Sequence, residues 1–187
     1  MIISFMELVD LAIMTLALGF IFKDFFIRPD AYENYDPLKP KAAKSNFWFA
    51  VMVTAPAIIL HEMGHKFMAM GIGIDAVFHA YYPFLALGLI LKLVGSGFIF
   101  VVPGYVTHAA DISAAQSTLI SFAGPGVNLL LWSVSYFALK QRWFSSRYTP
   151  FLALTSRINM FLFIFNMLPI PPFDGYSVFS GLYHLVI

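Results

Sequence analysis

Long apolar runs constrain this chain more than any other feature of its sequence. Apolar residues make up 60% of the 187 residues and charged residues 11%, whereas soluble domains have about 45–50% and about 25%. A soluble fold could not bury so much apolar surface, so the sequence predicts an all-α polytopic membrane protein with about four to six transmembrane helices. Four runs are long enough to cross a bilayer as helices, and they cover Phe5 to Phe22, Phe47 to Met70, Ser117 to Leu139 and Phe151 to Leu168.

Net charge and cysteine content exclude several classes of function. The net charge is +1 and no basic tract is present, so we expect a lipid bilayer around the chain and no nucleic-acid partner. The chain has no cysteine, which excludes disulfides, thiol chemistry and zinc sites with Cys ligands. Any metal ion must therefore be bound by His, Asp, Glu or Asn.

Two regions are expected along the chain. Residues 1–46 combine a transmembrane helix with a polar loop, which holds five Lys/Arg and four Asp/Glu between positions 23 and 46. The first apolar run has no basic start and no small-residue cleavage site, so a retained helix is favoured over a signal peptide. Residues 47–187 are predicted to form one membrane domain. The sequence stops in an apolar segment at Ile187 without a polar tail, which favours a truncated end.

The stretch 74–110 is ambiguous between two interpretations. The apolar part from Phe84 to Val94 contains Lys92 and is too short to cross the hydrocarbon core as a helix. The residues Phe98, Ile99, Phe100, Val101 and Val102 are dense in strand formers. We therefore expect a short re-entrant or interfacial helix followed by a strand-like segment. The alternative is a full crossing from 83 to 103.

The pentapeptide H-E-x-x-H occupies positions 61–65, inside the second apolar run. Residues four apart share one face of a helix, so His61 and His65 can reach the same metal ion. Glu62 can touch a metal-bound water without binding the metal. Ionisable groups at membrane depth are costly and usually functional, although a polar patch satisfied by neighbouring helices would also account for them.

A third ligand is expected from Asp174, the sole acidic residue after Asp111. It follows a proline-rich break at 169–172, and irregular backbone at membrane depth is tolerated where it lines a cavity. An ordinary N-cap of a helix over 175–187 is the alternative reading of Asp174. With one position left open for water, His61, His65 and Asp174 would complete a catalytic zinc site.

A further motif, G-P-x-x-N at 124–128, lies within the third apolar run. Its glycines permit close helix approach. Its amide, Asn128, can hydrogen-bond to another helix or to a substrate backbone. Both readings remain open.

Together with N-x-x-P-x-P-x-x-D-G at 166–175, these motifs resemble the site-2 protease family of intramembrane zinc metalloproteases. The resemblance covers roughly residues 47–180 and is greatest to small prokaryotic members with archaeal features. It implies one Zn²⁺ per chain bound by His61, His65 and Asp174, with Glu62 as the catalytic base. It also implies that Asn128 positions the substrate or stabilises the intermediate.

The segment 98–106 is similar to the membrane-dipping β element of the family, so the strand 98–102 is expected to bind substrate. The expected activity is cleavage of transmembrane segments of other proteins in a prokaryotic cell membrane. The competing hypotheses are a non-proteolytic metal-binding protein or cation carrier, and a structural assembly factor. The family pattern places 71–116 in the cytosol, whereas the positive-inside rule places the basic loops 23–46 and 139–150 there.

Overall fold

A computed structural model describes residues 2–25, 43–96, 104–108 and 111–186, and these residues are mainly helical. The predicted all-α polytopic fold is confirmed. In chain order the elements are α1 (Phe5–Phe22), α2 (Ala43–Gly71), β1 (Ala76–Ala80), α3 (Tyr82–Leu93), β2 (Gly104–His108), α4 (Ala114–Lys140), a 3-10 turn (Ser146–Tyr148), α5 (Thr149–Asn166) and α6 (Asp174–Val186).

Four helical segments of the described chain are long and apolar enough to cross a membrane. They cover Phe5–Phe22, Asn46–Gly71, Ala114–Lys140 and Ser146–Asn166, in agreement with the four apolar runs. Ser4 and Ser113 begin α1 and α4 with capping boxes, in which the serine hydroxyl and a Glu or Gln side chain satisfy free backbone N–H groups.

The ambiguous stretch forms a short helix between two strands. Helix α3 has 12 residues and ends at Leu93, where Gly95 takes a positive φ of 71°. The alternative of a continuous crossing from 83 to 103 was therefore wrong. Strand β1, which the sequence reading missed, pairs with β2 in a two-stranded sheet. The predicted strand 98–102 lies outside the described residues.

The chain divides into two compact units. The first comprises Met1–Pro56 and Ala80–Gly104. Within it the buried Asp10 of α1 accepts a hydrogen bond from the Ala80 N–H at 3.1 Å and another from the Tyr82 hydroxyl. The hydrogen bond to Asp10 raises the pKa of the Tyr82 phenol. These bonds anchor the start of α3 to α1.

The second unit comprises Ala57–His79 and Tyr105–Ile187. In it α4 packs against both α5 and α6. A small apolar core of Ala69, Ala76 and Ile120 joins the end of α2 to β1 and α4. All residues of the candidate site belong to this unit. The predicted division at residue 46 lies inside α2 and stays a prediction.

Candidate metal centre

Helix α2 carries the three polar residues of the H-E-x-x-H motif. His61 and His65 lie one turn apart and are both buried, with their rings edge to face and their centroids 4.7 Å apart. Their Nε2 atoms are 3.1 Å apart. The helical spacing thus brings the two imidazoles to one point, as the sequence predicted.

Asp174 is the first residue of α6 and reaches the same point. Its Oδ2 atom lies 3.2 Å from Nε2 of His61 and 3.4 Å from Nε2 of His65. The next residue, Gly175, lets the start of α6 lie against the end of α5, because a Cβ there would be 2.4 Å from the backbone of Met167. The proline-rich break at 169–172 therefore allows the chain to place the Asp174 carboxylate beside the two histidines.

These three ligand atoms form a triangle with sides of 3.1, 3.2 and 3.4 Å. Ligand atoms about 2.0–2.1 Å from a tetrahedral zinc ion lie about 3.3 Å apart. Among the described residues, His61, His65 and Asp174 form the one group of His, Cys, Asp or Glu placed to hold a metal ion. The spacing and chemistry of the three ligands fit zinc.

The other ring nitrogens of both histidines face hydrogen-bond acceptors. Nδ1 of His65 donates to the Ile120 carbonyl at 2.7 Å, and Nδ1 of His61 donates to Oδ1 of Asn128 at 2.6 Å. In the neutral imidazoles, Nδ1 then carries the proton and Nε2 carries a lone pair. Two lone pairs and a carboxylate converge on one point, an arrangement that a bound cation stabilises.

Glu62 is buried beside the ligands. Its carboxylate interacts electrostatically with His61, His65 and Asp174. The structure thus brings Glu62 and the three predicted ligands together. The role of Glu62 as a base stays a prediction.

Asn128 contacts His61, one of the candidate metal ligands, and is fully buried. Besides accepting from His61, its Nδ2 group donates to the Ala57 carbonyl at 3.0 Å and to Oδ1 of Asn159 at 2.9 Å. Its amide thus has protein partners on both the oxygen and the nitrogen. The predicted contact between Asn128 and substrate stays a prediction.

Asn159 in α5 is a residue that the sequence reading missed. It is fully buried, and its Nδ2 group donates to the Thr155 carbonyl at 2.8 Å. The sequence could have marked Asn159 as a candidate, since an amide inside the apolar run 151–168 needs a hydrogen-bond partner at membrane depth. The identity of that partner depends on how α4 and α5 pack, which spacing along the chain does not reveal.

Two glycines let α4 approach the motif on α2. A Cβ on Gly124 would lie 2.3 Å from Nε2 of His65 and 2.8 Å from Nε2 of His61. A Cβ on Gly64 would lie 2.8 Å from the Ala123 carbonyl oxygen. The first glycine of the G-P-x-x-N motif thus leaves open the space in which the ligand nitrogens lie.

The chain is similar to several curated proteins. It is 35% identical over 174 residues to "Putative zinc metalloprotease MJ0611" of Methanocaldococcus jannaschii, a match that covers 92% of this chain and 82% of the relative. It is 31% identical over 163 residues to "Putative zinc metalloprotease Rip2" of Mycobacterium tuberculosis, covering 76% of this chain and 60% of the relative. It is 27% identical over 152 residues to "Putative zinc metalloprotease YwhC" of Bacillus subtilis, covering 72% of this chain and 68% of the relative. No family model and no solved structure matches the chain.

Proposed function

Because this chain belongs to the site-2 protease family of zinc metalloproteases, we propose that it is an intramembrane zinc endopeptidase. Its substrates would be the transmembrane segments of other membrane proteins, cleaved within a prokaryotic cell membrane. The observation that carries the proposal is the triangle of His61 Nε2, His65 Nε2 and Asp174 Oδ2, in which three potential ligands converge inside a membrane-length helical fold.

His61, His65 and Asp174 would hold one zinc ion through these three atoms. When bound, zinc lowers the pKa of a coordinated water to about 7 and polarises the peptide carbonyl. The hydrogen bonds on the Nδ1 side of each ring fix both imidazoles with their lone pairs toward the ion. Three protein ligands would leave the fourth position of a tetrahedral zinc ion to water, as a hydrolytic zinc site requires.

Glu62 would transfer a proton from the attacking water to the leaving group. Its carboxylate accepts a proton from the attacking water and then delivers it to the nitrogen of the departing amine. Burial beside the ligands suits this role, because the carboxylate interacts with the same three groups that would hold the ion. A site that only stored or carried metal would need no such base.

The proposed substrate is a helix that must unwind before hydrolysis, since a helix engages its carbonyls in hydrogen bonds four residues apart. The strand-like segment 98–102 would pair with the unwound chain by adding a β-strand. Asn128 orients His61 through its amide oxygen. To donate to a substrate carbonyl, the Nδ2 group of Asn128 would have to exchange the Ala57 carbonyl or Oδ1 of Asn159, since both of its protons are engaged.

Glu62→Gln tests the proposal, because glutamine preserves shape but cannot shuttle the proton. Cleavage of a reporter transmembrane segment in detergent should fall by about 100-fold or more, with the zinc content per chain unchanged. Asp75→Asn, the same kind of change at an exposed carboxylate, should cleave like the wild type.

Equal cleavage by wild type and Glu62→Gln would contradict the proposal and indicate a contaminating protease. Zinc bound by both proteins with no cleavage by either would favour the metal-binding or carrier hypothesis. A zinc-flux assay in proteoliposomes would then separate a carrier from an inactive relative.

A further inference from the structure

A chain of three hydrogen bonds runs from helix α5 to the candidate metal centre. Nδ2 of Asn159 donates to the Thr155 carbonyl, Nδ2 of Asn128 donates to Oδ1 of Asn159, and Nδ1 of His61 donates to Oδ1 of Asn128. The three distances are 2.8, 2.9 and 2.6 Å. Asn159 is the side chain in this series that is furthest, by number of hydrogen bonds, from the candidate metal ligands.

The donor and the acceptor of every hydrogen bond in this series follow from the Thr155 carbonyl, which is its first acceptor. A backbone carbonyl can only accept, so the Thr155 carbonyl requires the NH₂ group of Asn159 on its side. The oxygen of Asn159 then faces Asn128 and selects its NH₂ group. The oxygen of Asn128 in turn faces His61 and selects the Nδ1 proton.

Burial makes this order costly to reverse. Both asparagines are completely buried, and an unpaired polar group in such a place is strongly destabilising. Flipping one amide alone would place NH₂ against NH₂ or oxygen against oxygen. The Ala57 carbonyl adds a second acceptor for Nδ2 of Asn128 and favours the same orientation.

We propose that Asn159 is a positioning residue for the metal centre, which acts through Asn128 to place the proton of His61 on Nδ1. The lone pair on Nε2 is thereby directed toward the point where His65 and Asp174 converge. This inference rests on the proposed zinc site, and it adds a residue from α5 to a centre whose ligands come from α2 and α6.

The test is a double-mutant cycle on zinc affinity, measured by chelator competition with the purified full chain in detergent. Loss of a residue that orients a metal ligand typically weakens metal binding by about 10–100-fold, and Asn128→Leu should fall in this range. Asn159→Leu should weaken binding less, by up to about 10-fold, since the Ala57 carbonyl still orients Asn128. Adding Asn159→Leu to Asn128→Leu should change affinity no further, because Asn128 transmits the effect.

A matched control is available on α4. Ser135 is also buried, but its hydroxyl donates to the carbonyls of Leu131 and Trp132 in its own helix. Ser135→Ala should leave zinc affinity at the wild-type value. With Co²⁺ in place of zinc, Asn159→Leu should shift the visible absorption in the same direction as Asn128→Leu, and Ser135→Ala should not shift it.

A second variant covers the case in which Asn159→Leu does not fold. Serine at position 159 can donate to the Thr155 carbonyl, as Ser133 donates to the Leu129 carbonyl, but it is too short to serve Asn128. Asn159→Ser should therefore weaken zinc binding like the leucine variant.

Two results would overturn the inference while leaving the proposed function intact. One is wild-type zinc affinity in the folded Asn159 variants. The other is that Asn159→Leu weakens zinc binding as much in the Asn128→Leu variant as in the wild-type chain, which would indicate that Asn159 acts through packing alone. Failure of the wild-type chain to bind zinc at all would instead overturn the proposed zinc site and this inference together.

Discussion

Among single residues, Gly124 shapes the metal centre by having no side chain. Gly124→Ala should greatly reduce zinc bound per chain, since its Cβ would lie 2.3 Å from Nε2 of His65 and displace that ring. Gly126→Ala is the matched control, because its Cβ would meet the Phe122 ring at an ordinary 3.4 Å. Metal analysis of both purified variants measures the difference. Equal zinc in the two would show that Gly124 does not border the ligands.

The role of Asp174 can also be decided at the residue scale. Asn caps helix N-termini about as well as Asp but is a weaker zinc ligand because it carries no charge. Asp174→Asn should therefore lose most zinc while α6 remains folded, as followed by circular dichroism. The same change at the exposed Asp111 should have no effect. Zinc retained by Asp174→Asn would support the capping role that the sequence left open.

Sequence reasoning predicted the three residues that the structure brings together, because their signals are local or rare. His61 and His65 follow from helical periodicity, and Asp174 from a lone acid after a proline break in an apolar run. Asn159 has no comparable pattern, since its hydrogen-bond partner Asn128 lies on another helix. Spacing along one helix thus predicts candidate ligands but not their hydrogen-bond partners on other helices.

At the scale of elements, the packing of α6 against α4 positions Asp174. A Cβ on Gly181 would lie 2.1 Å from Oγ1 of Thr118. Gly181→Ala should lower the stability by about 1–3 kcal/mol through overpacking and weaken zinc binding by displacing α6. Thermal unfolding and chelator competition measure the two effects.

The close contact between a Cβ at position 181 and Oγ1 of Thr118 allows a control substitution. Thr118→Ala removes the hydroxyl that the new methyl group would meet, so the double variant Gly181→Ala with Thr118→Ala should regain part of the lost stability and zinc affinity. No recovery in the double variant would show that this contact does not limit the approach of α6.

The strand-like segment 98–102 is proposed to pair with the unwound substrate, and this pairing can be tested by mutation. Prolines at Ile99 and Val101 remove backbone N–H groups that an added substrate strand would need. The double variant should cleave the reporter segment more slowly while still binding zinc. Normal turnover in that variant would rule out β-pairing through this segment.

The long elements were easier to predict than the short ones. Apolar length alone located α1, α2, α4 and α5, because each had to match the thickness of a bilayer. Strand β1 has five residues and buries alternate positions Ala76, Phe78 and Ala80. Such a short alternation carries little information without its partner β2, which follows it only after the intervening helix α3.

In the molecule as a whole, the four apolar helical segments are long and apolar enough to cross a membrane. The compact unit that holds the candidate metal centre combines distant parts of the sequence, Ala57–His79 and Tyr105–Ile187. Large apolar side chains such as Leu16, Leu130, Phe161 and Ile164 are exposed on these helices, where lipid tails would contact them. The ligands, by contrast, are buried or half-buried within one unit. A hydrolytic centre in this setting requires both water and metal at membrane depth.

Zinc-dependent proteolysis is tested by following cleavage of the reporter segment by one purified sample before chelation, after chelation and after adding back one equivalent of zinc. In wild type, activity should disappear with the metal and return with it, whereas Glu62→Gln should regain zinc without activity. Cleavage that continues in the zinc-free sample, or that Glu62→Gln recovers along with wild type, would contradict the proposed zinc-dependent protease.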